Sequence, residues 1–151
     1  MSSPSNLTPA SVTIASWVKV DPTLSDWAWV AGHGDNVGLF VNLWDDDGVT
    51  FYYYNGSVWR NVSFHNAGLK DGQWHHIAGS FDQDTGIMSV YLDGVLVNSA
   101  YNLDTINYIH GNDFSIGSMQ GWRNFKGCLD EVQFYGRALS EQDVQLLSQV
   151  P

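Results

Sequence analysis

Five tryptophans, Trp27, Trp29, Trp44, Trp59 and Trp122, stand with Tyr52, Tyr54 and Arg123 in or beside stretches rich in Asp, Asn and Gly. Flat apolar rings among fixed polar groups suit a sugar, whose C–H face stacks on a ring while its hydroxyls take hydrogen bonds. Trp44 beside three aspartates, Trp59 beside Arg60 and Asn61, and Trp122 between Gly121 and Arg123 read as loop or rim residues. Trp27 and Trp29 are two apart and so face one side of a strand, either as a ligand platform or as core. Trp17 and Trp74, flanked by alternating apolar residues, read as core.

Other chemistry has less support. Asp45-Asp46-Asp47-Gly48 has the composition of a calcium loop but not the spaced Asp-x-Asp-x-Asp-Gly and distal Glu of an EF-hand, so it reads as a solvated turn. His75 and His76 are neighbours on a predicted strand, where successive side chains point to opposite faces and cannot grip one metal. His33, His65 and His110 are scattered, which gives no zinc pattern. Asp130 and Glu131 face opposite ways by the same alternation, and neither a Gly-x-Ser-x-Gly motif nor a phosphate loop occurs. Cys128 is the one cysteine, so no internal disulfide forms, and beside Leu129 it reads as a small core residue.

The elements that must position these residues are strands. Ile87, Ser89 and Tyr91 alternate with Met88, Val90 and Leu92, then Asp93-Gly94 supplies a tight turn and Val95, Leu96 and Val97 return. Further strand-like runs fall at 12–20, 27–32, 37–43, 49–54, 58–64, 74–81, 114–117 and 127–135, separated by turn residues such as Asn55-Gly56 and Lys70-Asp71-Gly72. Ser140-Glu-Gln-Asp143 followed by Val144, Leu146 and Leu147 predicts one short capped helix on the sandwich. The expected fold is all-β, a jelly-roll sandwich of two antiparallel sheets. Residues 1–10 read as a linker or edge segment and 11–151 as one domain. A chain of 151 residues buries roughly 70% of its unfolded surface. Its 16 acidic and 6 basic residues give a net charge of −10, which repels phosphate backbones and anionic headgroups and argues against nucleic acid and membrane as partners. No apolar run has transmembrane length, and Met1 to Ser5 lacks the basic and apolar regions of a signal peptide.

Two phrases resemble the laminin-G-like (LamG) domains of the concanavalin A-like lectin and glucanase superfamily. The first is Trp74-His75-His76, an acidic turn at Asp82 and Asp84, and Tyr91-x-Asp93-Gly94; the second is Gly127-x-x-Asp130-Glu131-Val132, Tyr135, Arg137-Ala138-Leu139 and Ser140-Glu141. Ile14 to Val18 fits an early inner strand of the family. The resemblance implies the sandwich, an extracellular setting, and a structural calcium held by Asp130 with main-chain carbonyls. It also implies an opening strand Leu-x-Phe-Asp-Gly that this chain lacks. The strand of 130–135 is then expected to leave an unpaired edge, covered by Ser2 to Leu7 or by a second copy in a homodimer. The Glu-x-Asp-x-x-Glu triplet of the family's glucanases does not occur. These readings favour a non-catalytic carbohydrate-binding module, with a protein-interaction or adhesion domain of a secreted bacterial or virion surface protein as the alternative.

Overall fold

The computed structural model describes residues 8–110 and 114–149, apart from the Trp44 side chain. Ten strands follow in order: β1 (Val12–Val20), β2 (Ala28–Gly32), β3 (Val37–Val41), β4 (Val49–Tyr54), β5 (Trp59–Phe64), β6 (Trp74–Asp82), β7 (Ile87–Leu92), β8 (Val95–Tyr101), β9 (Ser115–Ile116) and β10 (Gly127–Tyr135). A short helix α1 (Glu141–Leu147) ends the described chain, with the Ser140 side chain accepting from the Asp143 N–H as its cap. All ladders are antiparallel and form two five-stranded sheets, β10-β1-β6-β7-β8 and β5-β4-β3-β2-β9. The expected jelly-roll sandwich is the fold observed. The run read as strand at 37–43 stops at Val41, and Leu43–Asp45 forms a 3-10 turn.

Alternation decides the core. Ile14, Val18, Ile77, Phe81, Met88 and Val90 of the first sheet meet Val37, Leu39, Val49, Phe51, Tyr53 and Val62 of the second in one buried cluster. Each such side chain contributes on the order of 1.5–3 kcal/mol when fully buried. Gly79 lets the sheets approach here, because a methyl in its place would overlap the Phe51 ring. The loop after β8 is tied down by Asp104, whose carboxylate accepts from Tyr53 Oη, from Asn55 Nδ2 at 2.7 Å and from Arg60 Nε at 2.9 Å. Partial burial works against that charge, but the three donors hold the Asp104 carboxyl below its usual range.

Several side chains lie elsewhere than their types suggest. Trp17 and Trp74, expected in the core, are on the outer face of the first sheet, because Val18 and Ile77 take the inner positions of the same strands. Trp17 packs edge-on against His76 at 5.4 Å, whereas Trp74, at the start of β6, is 43% exposed. Helix α1 covers only the Ala15, Ala78 and Tyr91 part of that face, through Val144 and Leu147. Cys128 is exposed on β10, since its neighbour Leu129 takes the core side. The alternation expected of Asp130 and Glu131 is broken by a bulge: Ala15 pairs with Gln133 but Trp17 with Asp130, and Glu131 adopts a left-handed φ of 49°. β10 lies at the end of its sheet, with β1 its one partner strand among the described residues. Ser2 to Leu7, expected over that edge, lies outside the described residues. Among the described residues, no helix is long and apolar enough to cross a membrane.

The two adjacent histidines titrate in opposite directions. Burial of the His75 ring disfavours its charge, but the Asp93 and Asp71 carboxylates outweigh this and raise its pKa. His76 is 1% exposed, and burial lowers its pKa from 6.5 to about 4 against the weaker pull of Asp93. The unfolded chain therefore takes up this proton first. The stability contributed by neutral His76 is complete above pH 6.5 and lost as pH falls toward 4, at up to about 1.4 kcal/mol per pH unit. Urea melts between pH 7 and 4.5 are expected to show a shallower loss in His76→Phe than in the parent; equal slopes would show that another group carries the dependence.

Candidate functional site

The outer face of the second sheet carries rings where a solvated sheet carries polar side chains. On β2, β3, β4 and β5 the outward positions include Trp29, Phe40, Tyr52, Tyr54, Trp59 and Asn61, set by the same two-residue period that sends Val30, Leu39, Phe51 and Val62 inward. Trp29 is fully buried and its indole lies over Gly32 and Gly38, where added methyl groups would overlap it. Its Nε1 donates to the Ser115 carbonyl on β9 at 3.2 Å. On this floor Trp27, Phe40 and Tyr52 form a continuous row, with ring centroids 4.9 Å apart for the first pair and 5.5 Å for the second.

Loops build the walls. Gln120 and Gly121 take left-handed φ values of 52° and 84°, giving a tight turn that pairs Met119 with Trp122. The turn is tied to β2 by the Trp29 N–H, which donates to the Arg123 carbonyl at 2.8 Å. The Arg123 guanidinium lies 4.3 Å from the Trp27 ring centre and 4.9 Å from that of Trp122, and bonds the Asp26 carboxylate at 2.5 Å. On the opposite side, Trp59 donates through Nε1 to the Asp35 carbonyl at 3.1 Å and contacts the Tyr54 ring at 4.9 Å. His110 lies parallel to Trp59 and is held by a reciprocal pair of bonds with the Asn36 amide.

The resulting groove has a volume of about 290 Å³ and is lined by Trp27, Phe40, Tyr52, Trp59, Met119 and Trp122, with Leu43, Asp35 and Asn61 completing it. Trp59 and Trp122 stay 54% and 51% exposed at its two sides. The Tyr52 hydroxyl, pushed above its ordinary pKa by burial and then by the Asp35 charge, stays neutral and donates to the Gly34 carbonyl. Two polar atoms beside the groove, His110 Nε2 and Arg123 Nε, are buried without a hydrogen-bond partner.

The structure thus brings Trp27, Trp29, Tyr52, Tyr54, Trp59, Trp122 and Arg123 to one face, with Trp29 as floor and the others at or beside the groove. Trp44 belongs by its backbone to the 3-10 turn after β3, and its side chain lies outside the described residues. Asp130 stands on the other sheet, its Oδ1 accepting from the Glu131 N–H at 2.8 Å. Among the described residues no group of three or more His, Cys, Asp or Glu side chains is gathered to hold a metal. Sequence reasoning missed Phe40, Asp35, Asn61, His110 and Met119. Extending the alternation from Tyr52 to its strand neighbours would have found Phe40 and Asn61; the other three come from loops.

A row of rings on the outer face of a ten-stranded sandwich is accompanied by a direct match: the family model Laminin_G_3, of the concanavalin A-like lectin/glucanases superfamily, fits residues 1–145. The chain belongs to this superfamily. No curated protein sequence matches this Laminin_G_3 domain. Among solved structures it is similar to the Ruminococcus gnavus IT-sialidase CBM40 bound to α2,3-sialyllactose, at 18% identity and TM-score 0.76, covering 93% of this chain and 84% of that one. A candidate carbohydrate-binding protein from Bacteroides ovatus aligns at 22% identity and TM-score 0.75, over 94% of this chain and 42% of that one. The binding domain of botulinum neurotoxin DC in complex with rat synaptotagmin II aligns at 11% identity and TM-score 0.64, over 96% and 37%. At these identities the likeness is one of fold.

The groove floor depends on the absent side chain at Gly38. Gly38→Ala is expected to push the Trp29 ring out of place at roughly 1–3 kcal/mol, lowering the melting temperature by several degrees and altering the near-ultraviolet circular dichroism. An unchanged tryptophan signal would show that the ring does not rest there.

Proposed function

We propose that this LamG-type domain is a non-catalytic carbohydrate-binding module that holds a glycan in the groove between Trp59 and Trp122. The observation that carries the reading is the half-exposure of these two rings over a buried aromatic floor. An outer sheet face gains nothing from such rings in water, whereas a sugar ring would cover them with its C–H face. Asp35, Asn61 and Arg123 supply polar partners at the rim. Asp35 is the one carboxylate among the lining residues, against the flanking pair that sugar hydrolysis uses. The CBM40 and Bacteroides ovatus structures, named for carbohydrate binding, support the reading at the level of fold.

A protein-interaction role is the second reading. Val95, Tyr101 and Leu103, on and just after the edge strand β8, are 62%, 64% and 75% exposed. Glycan arrays followed by tryptophan-fluorescence titration separate the two. Trp59→Ala and Trp122→Ala are each expected to weaken glycan binding about five- to tenfold with little change in melting temperature, and Trp44→Ala tests the sequence reading of that residue as a ligand ring. Trp29→Ala is expected to cost about 3–5 kcal/mol of stability instead. Full binding by both rim variants would move the ligand elsewhere.

Calcium rests on the resemblance alone. Asp130 supplies one carboxylate, and among the described residues no group of three or more His, Cys, Asp or Glu side chains gathers there, so the other oxygen ligands of a calcium would come from main-chain carbonyls. A metal bound only to the folded state raises the melting temperature by mass action. A melting temperature several degrees lower in chelator than in millimolar calcium is the result expected of a calcium held by Asp130 and main-chain carbonyls, and equal melts would remove the metal.

A further inference from the structure

The ring-lined groove has a neighbour. A second cavity, of about 390 Å³, adjoins it across Leu43 and Asn61, which wall both. Its remaining walls come from Val62, Ser63 and His65 at the end of β5 and from Asn98, Ser99 and Ala100 of β8. It lies where the edge strands of the two sheets meet, bridged by Asn98 Nδ2 donating to the Ser63 carbonyl at 2.8 Å. The chemistry changes from one cavity to the next. Aromatic rings dominate the first; the second adds two amides, two hydroxyls and a His65 ring bonded to the Asp46 carboxylate to the aliphatic Leu43, Val62 and Ala100. Trp59, Asn61 and Ser63 follow one another on the outward side of β5, at steps of about 6.5–7 Å.

We infer that the two cavities form one extended site for an internal stretch of a neutral polysaccharide, and not a pocket for a single terminal sugar. The inference rests on the carbohydrate reading above and deepens it. Each cavity alone is at the small end of ligand sites, which run from about 300 to 1,000 Å³. A terminal-sugar pocket converges its polar groups on one ring, but here they are spread along β5 beyond the aromatic floor. The stacked unit takes its energy from Trp59, Trp122 and Trp27, and the following units take hydrogen bonds from Asn61, Asn98 and Ser63. Neutrality follows from the walls: no Lys or Arg stands among the described lining residues of either cavity, and the Arg123 guanidinium beside the first is paired with Asp26. The net charge of −10 adds repulsion of acidic polymers.

The test is calorimetric titration with length ladders, one to six units, of neutral gluco-, xylo-, manno- and galacto-oligosaccharides, with a sialylated trisaccharide alongside. For at least one neutral ladder, Kd is expected to fall about tenfold or more between the shortest binder and the members two to three units longer. Asn98→Leu and His65→Ala are expected to remove most of that gain while binding the shortest member within about twofold of the parent. His65 is exposed, so its variant carries the test should Asn98→Leu prove unstable. Equal affinity at every length, or a length gain untouched by either variant, overturns the extended site and leaves the carbohydrate reading standing. Binding of the sialylated trisaccharide alone overturns neutrality. No binding of any saccharide, with a peptide from a random library quenching Trp59 instead, overturns both.

Discussion

The indole of Trp29, laid flat over Gly32 and Gly38, is the contact on which the outer face of the second sheet depends. Because two adjacent strands offer no side chains there, the largest of the fully buried side chains lies down rather than standing off the sheet, outside the main core. Its backbone N–H holds the loop that carries Trp122 and Arg123, and its ring N–H holds β9. Trp27, Phe40, Tyr52 and Met119 then pack on or around it. The second sheet therefore buries apolar side chains on both faces, one spent on the sandwich core and the other forming the aromatic floor of a groove.

Acidic residues do local work in this chain. Asp93 accepts from the His76 N–H and also pairs with His75; Asp46 caps the Gly48 N–H and pairs with His65; Asp47 accepts from the Lys70 N–H; Asp104 gathers three donors. The triple-aspartate segment read as a solvated turn is thus a small bonded hub linking the β3–β4 loop to 65–70. A carboxylate that accepts backbone N–H groups replaces hydrogen bonds that tight loops leave unmade, which explains how a chain this acidic keeps its turns ordered.

The two sheets differ in what lies outside them. Over the first, α1 covers a patch around Ala15 and Tyr91, and near its margin His76 and Trp17 are packed with ring nitrogens left without partners. Over the second no helix lies among the described residues, and the covering is by loops whose shape is set by left-handed residues at 120, 121 and 123. A groove is kept where loops meet a flat floor, whereas on the other face a helix covers one patch.

The sequence by itself determined the strands, the antiparallel sandwich, the capped helix and the identity of most rings now on one face. Period-two alternation and turn residues are local properties, so Tyr52, Trp59 and the Asp93-Gly94 hairpin were legible from neighbours in the chain. It did not determine which face of each sheet is covered, because alternation separates two sides without saying which one meets the other sheet; hence Trp17 and Trp74 read as core and lie outside it. Nor could it show the bulge at Glu131, the glycine pair beneath Trp29, or the arrival of Asp35, Met119 and His110 at the groove. These depend on register between strands distant in sequence and on loop closure, and only the folded chain brings such residues within contact distance.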